Sequence, residues 1–114
     1  MKNLMLVVVI LLGLQVNAQN KTEKTTLKVF GNCTQCKARI ESALDQKGIK
    51  MAEWNIKSKE LVVVYNPTKI SLEKIHELIA KSGHDTEKAT APDSVYTKLP
   101  DCCLYRENPH THED

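Results

Sequence analysis

The side chains of this 114-residue chain best suited to chemistry are its four cysteines and three of its four histidines: Cys33, Cys36, Cys102, Cys103, His84, His110 and His112. Cys33 and Cys36 form a Cys-x-x-Cys pair. Set where a strand runs into a helix, such a pair brings two sulfurs into one small volume, where unpaired backbone N–H groups and the helix dipole favour thiolate. Thiolates are soft donors that select Cu(I) and related thiophilic ions. Two of them suffice for an ion content with near-linear coordination, whereas a closed Zn(II) site wants four. The expected cargo is therefore Cu(I), with Hg(II), Ag(I) and Zn(II) as alternatives. Lys37, next to Cys36, is placed to stabilise a thiolate or to steer an acidic partner.

The elements that must position this pair can be read from periodicity. Residues 26–30 alternate as a half-buried strand with Leu27 and Val29 facing inward. After the Cys33 loop, Ile40, Ala43 and Leu44 fall at helical spacing, predicting a helix over 34–47 stopped by Gly48. Residues 52–56 and 61–65 read as a hairpin around Lys57 to Glu60. Ser71 is a good N-cap for a second helix, with Leu72, Ile75, Leu78 and Ile79 as its inward stripe and Gly83 as its stop. Residues 84–88 are expected to form a last edge strand. The order predicts an α+β, ferredoxin-like βαββαβ sandwich, an antiparallel sheet with two helices on one face. Met51, Val62 and Val64 would lie on the open face, Trp54 in the core, and His76 in solvent.

Composition bounds the rest. A net charge of +2, from 16 basic and 14 acidic residues, with 4% aromatics, offers neither a phosphate-neutralising patch nor a stacking surface, which argues against nucleic acid. Residues 1–18 carry Lys2, an apolar run over 4–14 and small residues ending at Ala18, the pattern of a cleavable signal peptide. The run is about half of the ~20 residues a spanning helix needs, so no stable membrane anchor is expected after cleavage. The reading is an exported chain, periplasmic or secreted, with a flexible segment over 19–25, a domain over 26–88 and a tail over 89–114.

The residues from Leu27 to Glu41, which run through Gly31-Asn32-Cys33-Thr34-Gln35-Cys36, together with Gly48-Ile49, Val63 to Pro67 and Lys81-Ser82-Gly83-His84, resemble the heavy-metal-associated domain family. That family includes copper chaperones, metal-binding domains of copper-transporting ATPases and the periplasmic mercury-binding protein. The resemblance implies that Cys33 and Cys36 bind Cu(I), Hg(II) or a similar ion in an exposed loop and hand it to a partner by ligand exchange. The chain departs from the family pattern at Gly31, where a buried Met is common, which predicts a looser loop. It departs again at His84, where Tyr or Phe is common. The resemblance makes His84 a group behind the ligands or a third ligand, against the plainer reading of a partly exposed histidine at a strand start.

Cys102 and Cys103 need partners elsewhere, because adjacent side chains diverge in an extended backbone and a vicinal disulfide strains it. From Lys88 the tail is long enough to return to the Cys33 loop. Three assignments compete: a disulfide to Cys33 or Cys36, a second metal site with His110 or His112, and one cluster of all four cysteines. Val95, Tyr96 and Leu99 fit a single helical turn, while residues 107–114 have too little apolar surface to order by themselves. The leading function is capture of a thiophilic cation for sequestration or delivery to a membrane metal transporter or efflux component, with no enzymatic step. The alternatives are a thiol–disulfide oxidoreductase and a structural or partner-binding domain stapled by disulfides.

Overall fold

The computed structural model describes residues 21–110; the expected leader and His112 lie outside them. Strands β1 (Glu23–Lys28), β2 (Ile49–Trp54) and β3 (Glu60–Tyr65) form an antiparallel sheet in the order β1-β3-β2, with helices α1 (Thr34–Ala43) and α2 (Leu72–Lys81) packed against it. β3 is central and sets the register: Leu61 pairs with Leu27 and with Trp54, and Val63 with Thr25 and with Ala52. Its alternation buries Leu61, Val63 and Tyr65 and leaves Val62 and Val64 half-buried beside exposed Met51, so one face makes the core and the other stays open. Ile40, Leu44, Ile75 and Ile79 close the inner face over Leu27, Val29 and Trp54. Among the described residues no helix is long and apolar enough to cross a membrane.

Several boundaries differ from expectation, each for a local reason. β1 starts at Glu23, inside the segment expected to be flexible, because Glu23 pairs with Tyr65 and accepts a 3.3 Å hydrogen bond from its hydroxyl. α1 ends four residues early, where Leu44 and Asp45 turn their N–H groups to carbonyls three residues back. Gly48, at φ +96°, then serves the turn into β2 rather than the helix end. β2 is displaced toward the N-terminus, since Asn55 opens the hairpin turn by accepting N–H bonds from Lys57 and Ser58. α2 follows expectation, with the Ser71 hydroxyl accepting from the Lys74 N–H at 3.1 Å and Lys81 in the last turn, where its charge suits the dipole.

The expected fourth strand shrinks to one antiparallel bridge between Val29 and Thr86. Immediately beyond it the Thr86 N–H turns to the Ala89 carbonyl, and its hydroxyl accepts from Lys88 and Ala89, so the ladder cannot continue. This folded-back segment also corrects the reading of His76, which is buried rather than solvated. Its Nδ1 lies 2.7 Å from the Thr86 hydroxyl, and burial holds its pKa below the ordinary histidine value.

The rest of the tail is ordered through residue 110. A one-turn helix α3 (Asp93–Tyr96) and a 3-10 turn (Asp101–Cys103) carry Tyr96, Leu99, Cys103 and Tyr105 into the core. We refer to residues 93–110 as the strap. Its last residues do not order alone: Asn32 donates to the Asn108 carbonyl and accepts from the His110 N–H, and Lys59 Nζ donates to the His110 carbonyl.

Candidate metal centre

The loop from Gly31 to Cys36 is fixed from below. Trp54 donates its indole N–H to the Val29 carbonyl at 3.0 Å and brings its ring against Gly31, where an added Cβ would meet the ring at 3.0 Å and the Cys36 Cβ at 3.1 Å. The space that a methionine would occupy is thus already filled by Trp54, and the loop is packed, not loose. Cys33 has extended φ/ψ and its carbonyl accepts from the Lys37 N–H, which starts α1 and places Cys36 in the first turn. The two sulfurs are 3.4 Å apart, and the Asn32 N–H points at Cys36 Sγ at 3.4 Å.

A third sulfur joins them. Cys103 Sγ lies 3.6 Å from Cys33 Sγ, and the sulfurs of Cys33, Cys36 and Cys103 all lie within 4.8 Å of one another. The turn on which the two adjacent cysteines sit separates them: the Cys103 N–H bonds the Pro100 carbonyl and its side chain points inward. Cys102 is half-exposed, with Sγ 3.4 Å from Gln35 Oε1 and 3.7 Å from Cys103 Sγ. No disulfide links the four, and Cys102 Sγ stands at the edge of the three-sulfur group, so of the three assignments the arrangement comes nearest to the single cluster.

Burial disfavours a charged Cys33, but the Cys36 backbone N–H and the thiols of Cys36, Cys103 and Cys102 donate to it, and its pKa ends below the ordinary thiol value. Burial and the hydrogen bond with Cys36 push the Cys103 thiol up, against the opposing influence of Arg39, whose Nη1 is 3.3 Å from Cys103 Sγ. Ionisation is thus favoured at Cys33 and opposed at Cys103. Lys37 does not take the part expected of it, because it is held by Glu41 at 2.6 Å and the Trp54 carbonyl at 2.7 Å. Arg39 is the cation at the sulfurs, whereas burial lowers the Lys59 pKa against the opposing influence of Cys36 and Cys33.

Neither His84 nor His110, the two candidate histidines among the described residues, is in the group. His84 is buried with Nδ1 2.8 Å from the Phe30 carbonyl and its ring stacked on Tyr105, 5.3 Å between centroids. It therefore steadies the strand end that leads into the cysteine loop, and the third donor beside the pair is Cys103 instead. Its Nε2 is buried without a hydrogen-bond partner among the described residues, and burial lowers its pKa to about 4. His110 turns Nδ1 to the Asn108 carbonyl, and among the described residues no second group of metal-ligating side chains joins it to Cys102 or Cys103. Sequence reasoning missed Asn32, Arg39 and Tyr105. Asn32 carried a usable signal, a polar residue directly before Cys33 in a loop bound to be covered, whereas the other two depend on long-range packing.

A small α+β sandwich with converging thiols at the β1–α1 junction defines a class of soft-metal-binding domains. The model of the heavy-metal-associated domain matches residues 26–85, more than half of the chain, and the chain belongs to that family. The copper chaperone CopZ of Staphylococcus epidermidis is 35% identical over 63 residues, covering 54% of this chain and 93% of the relative. The N-terminal soluble domains of Bacillus subtilis CopA superpose with a TM-score of 0.56 at 29% identity, over 59% of this chain and 47% of theirs. Oxidized MerP from Ralstonia metallidurans shares the fold, with a TM-score of 0.56 at 23% identity, over 59% of this chain and 96% of its own. The family match ends at residue 85, short of Cys102 and Cys103.

Proposed function

We propose that this chain is an exported protein that captures Cu(I) on Cys33 and Cys36 and either retains it or passes it to a membrane metal transporter or efflux component. The observation that carries the reading is the pair itself: two sulfurs 3.4 Å apart at a helix N-terminus, one of them with its pKa below the ordinary thiol value. A lowered thiol pKa reduces the protonic barrier to binding a soft ion. Copper is favoured over Hg(II), Ag(I) and Zn(II) because relatives that share the pair's fold bear copper names, CopZ as a copper chaperone above all. A transporter is favoured as partner because the structural neighbours include domains of the P-type ATPase CopA. Export rests on the leader pattern in residues 1–18.

Titration of the reduced chain with Cu(I) against a chromophoric chelator tests the capture. One ion per chain is expected, with uptake abolished in the Cys33→Ser/Cys36→Ser double variant; unchanged uptake in that variant rejects the reading. Cell fractionation tests export, where a chain beginning at Gln19 outside the cytoplasm is expected and an unprocessed cytoplasmic chain is the contrary result.

A further inference from the structure

We infer that Cys103 is a third ligand to the bound ion, and that the strap carrying it makes the site closed, so that the ion leaves only when the strap lifts. This rests on the reading that Cys33 and Cys36 take up the ion, and adds a ligand that lies outside the family match.

The sulfur positions carry the inference. Ligands about 2.3 Å from a central ion in a trigonal plane stand about 4 Å apart. The Cys33–Cys36 and Cys33–Cys103 separations of 3.4 and 3.6 Å, with no pair beyond 4.8 Å, need only tenths of an ångström of adjustment to reach that arrangement. A buried cysteine is commonly no more than a small apolar side chain. Here, however, a guanidinium nitrogen of Arg39 is directed at Cys103 Sγ from 3.3 Å, a contact that gains strength only when the sulfur becomes anionic. Charge points in the same direction. Each thiol that ligates the ion gives its proton to solvent, and three thiolates with a monovalent ion sum to −2. Arg39, with Nη1 3.3 Å from Cys103 Sγ, supplies a positive charge at the group.

The strap's anchors place Cys103 and hold it there. Two residues on, the Tyr105 hydroxyl donates to the Gly83 carbonyl and accepts from the Asp85 N–H, each at 2.7 Å. Arg106 grips Asp85 with two nitrogens at 2.9 and 2.7 Å and reaches Asp93 with a third at 2.9 Å. The consequence is exclusion of a partner. Cys33 is 2% exposed and Cys36 and Cys103 are 0%, so no attacking thiolate can approach the ion while the strap is down. The device suits retention, with release gated by a protein that displaces residues 93–110.

The test loads the reduced full chain with one equivalent of Cu(I). X-ray absorption on the wild type counts the sulfurs without any substitution: three are expected, and two overturn the proposal. Release is then followed into excess bathocuproine disulfonate. Loss of a group behind a metal ligand already costs roughly 10–100-fold in affinity, so Cys103→Ser is expected to release copper at least about tenfold faster. Equal release from Cys103→Ser and wild type overturns the proposal. Arg106→Met keeps every thiol and cuts the anchor; it too is expected to release faster, and wild-type release there overturns the cover. Failure of the underlying reading looks different, because the Cys33→Ser/Cys36→Ser variant would then still bind copper.

Discussion

The sandwich and the strap are ordered by different physics. The sandwich buries the alternating faces of three strands and the stripes of two helices, each fully buried aliphatic side chain contributing about 1.5–3 kcal/mol. The strap contributes Tyr96, Leu99, Cys103 and Tyr105 to the same core, but its position is fixed by Tyr105 on Gly83 and Asp85, Arg106 on Asp85, and Asn32 on residues 108 and 110. Many redundant apolar contacts make the first cooperative, and a few directional bonds make the second separable. A metal site that spans both, two sulfurs from the sandwich loop and one from the strap, therefore has a fixed half and a detachable half.

The comparison breaks most severely from the sandwich side. Leu61 is fully buried in the central strand, and Leu61→Ala should cost about 2–5 kcal/mol and melt sandwich and strap together. Denaturant unfolding followed by Trp54 fluorescence and by Cys103 alkylation checks this, with coincident transitions expected.

Acid should act next. His84 lies between the two regions, bonded to the Phe30 carbonyl and stacked on Tyr105, with its charged form opposed by burial and by Arg39 and favoured by that carbonyl and Asp85. Its pKa is lowered to about 4 from 6.5, so between those values the unfolded chain binds a proton that the folded chain does not. Stability is full above pH 6.5 and falls as pH drops toward 4, by an amount on the order of 3 kcal/mol. Buried His76 adds in the same direction. Denaturant midpoints at pH 7 and 4.5 should differ accordingly in the wild type and much less in His84→Gln.

Arg106→Met should have a smaller and more selective effect. Its forked bond to Asp85 is half-buried and charge-assisted, whereas the Asp93 carboxylate is 91% exposed and adds little. A cost of about 1.5–3 kcal/mol borne by the strap is expected, seen as faster hydrogen exchange over residues 101–106 with β3 unchanged. Equal acceleration in both would show that the two regions form one unit.

What the sequence disclosed follows the same division. The alternation in β3, the Ser71 cap and Gly83 around α2, and the Cys33–Cys36 pair at a strand–helix junction are local signals, and the fold class follows from them. His76 was misplaced because a helical stripe shows which face meets the sheet, not that residues beyond Gly83 fold across the flank. The fourth strand failed at Thr86, whose side chain captures its own turn. Sequence length showed that the tail could reach the loop, but which of two adjacent sulfurs points inward is decided by the Pro100–Cys103 turn and by Arg106 finding Asp85. Pairings of that range leave no periodic trace.

The most direct test of the central claim labels each cysteine of the reduced wild-type chain with a pulse of alkylating reagent, without and with one equivalent of Cu(I), and reads the sites by mass spectrometry. The account predicts that copper strongly slows labelling of Cys33 and Cys36, together with Cys103, while Cys102 reacts as before. Unchanged labelling of Cys33 and Cys36 in the copper-loaded chain would contradict it.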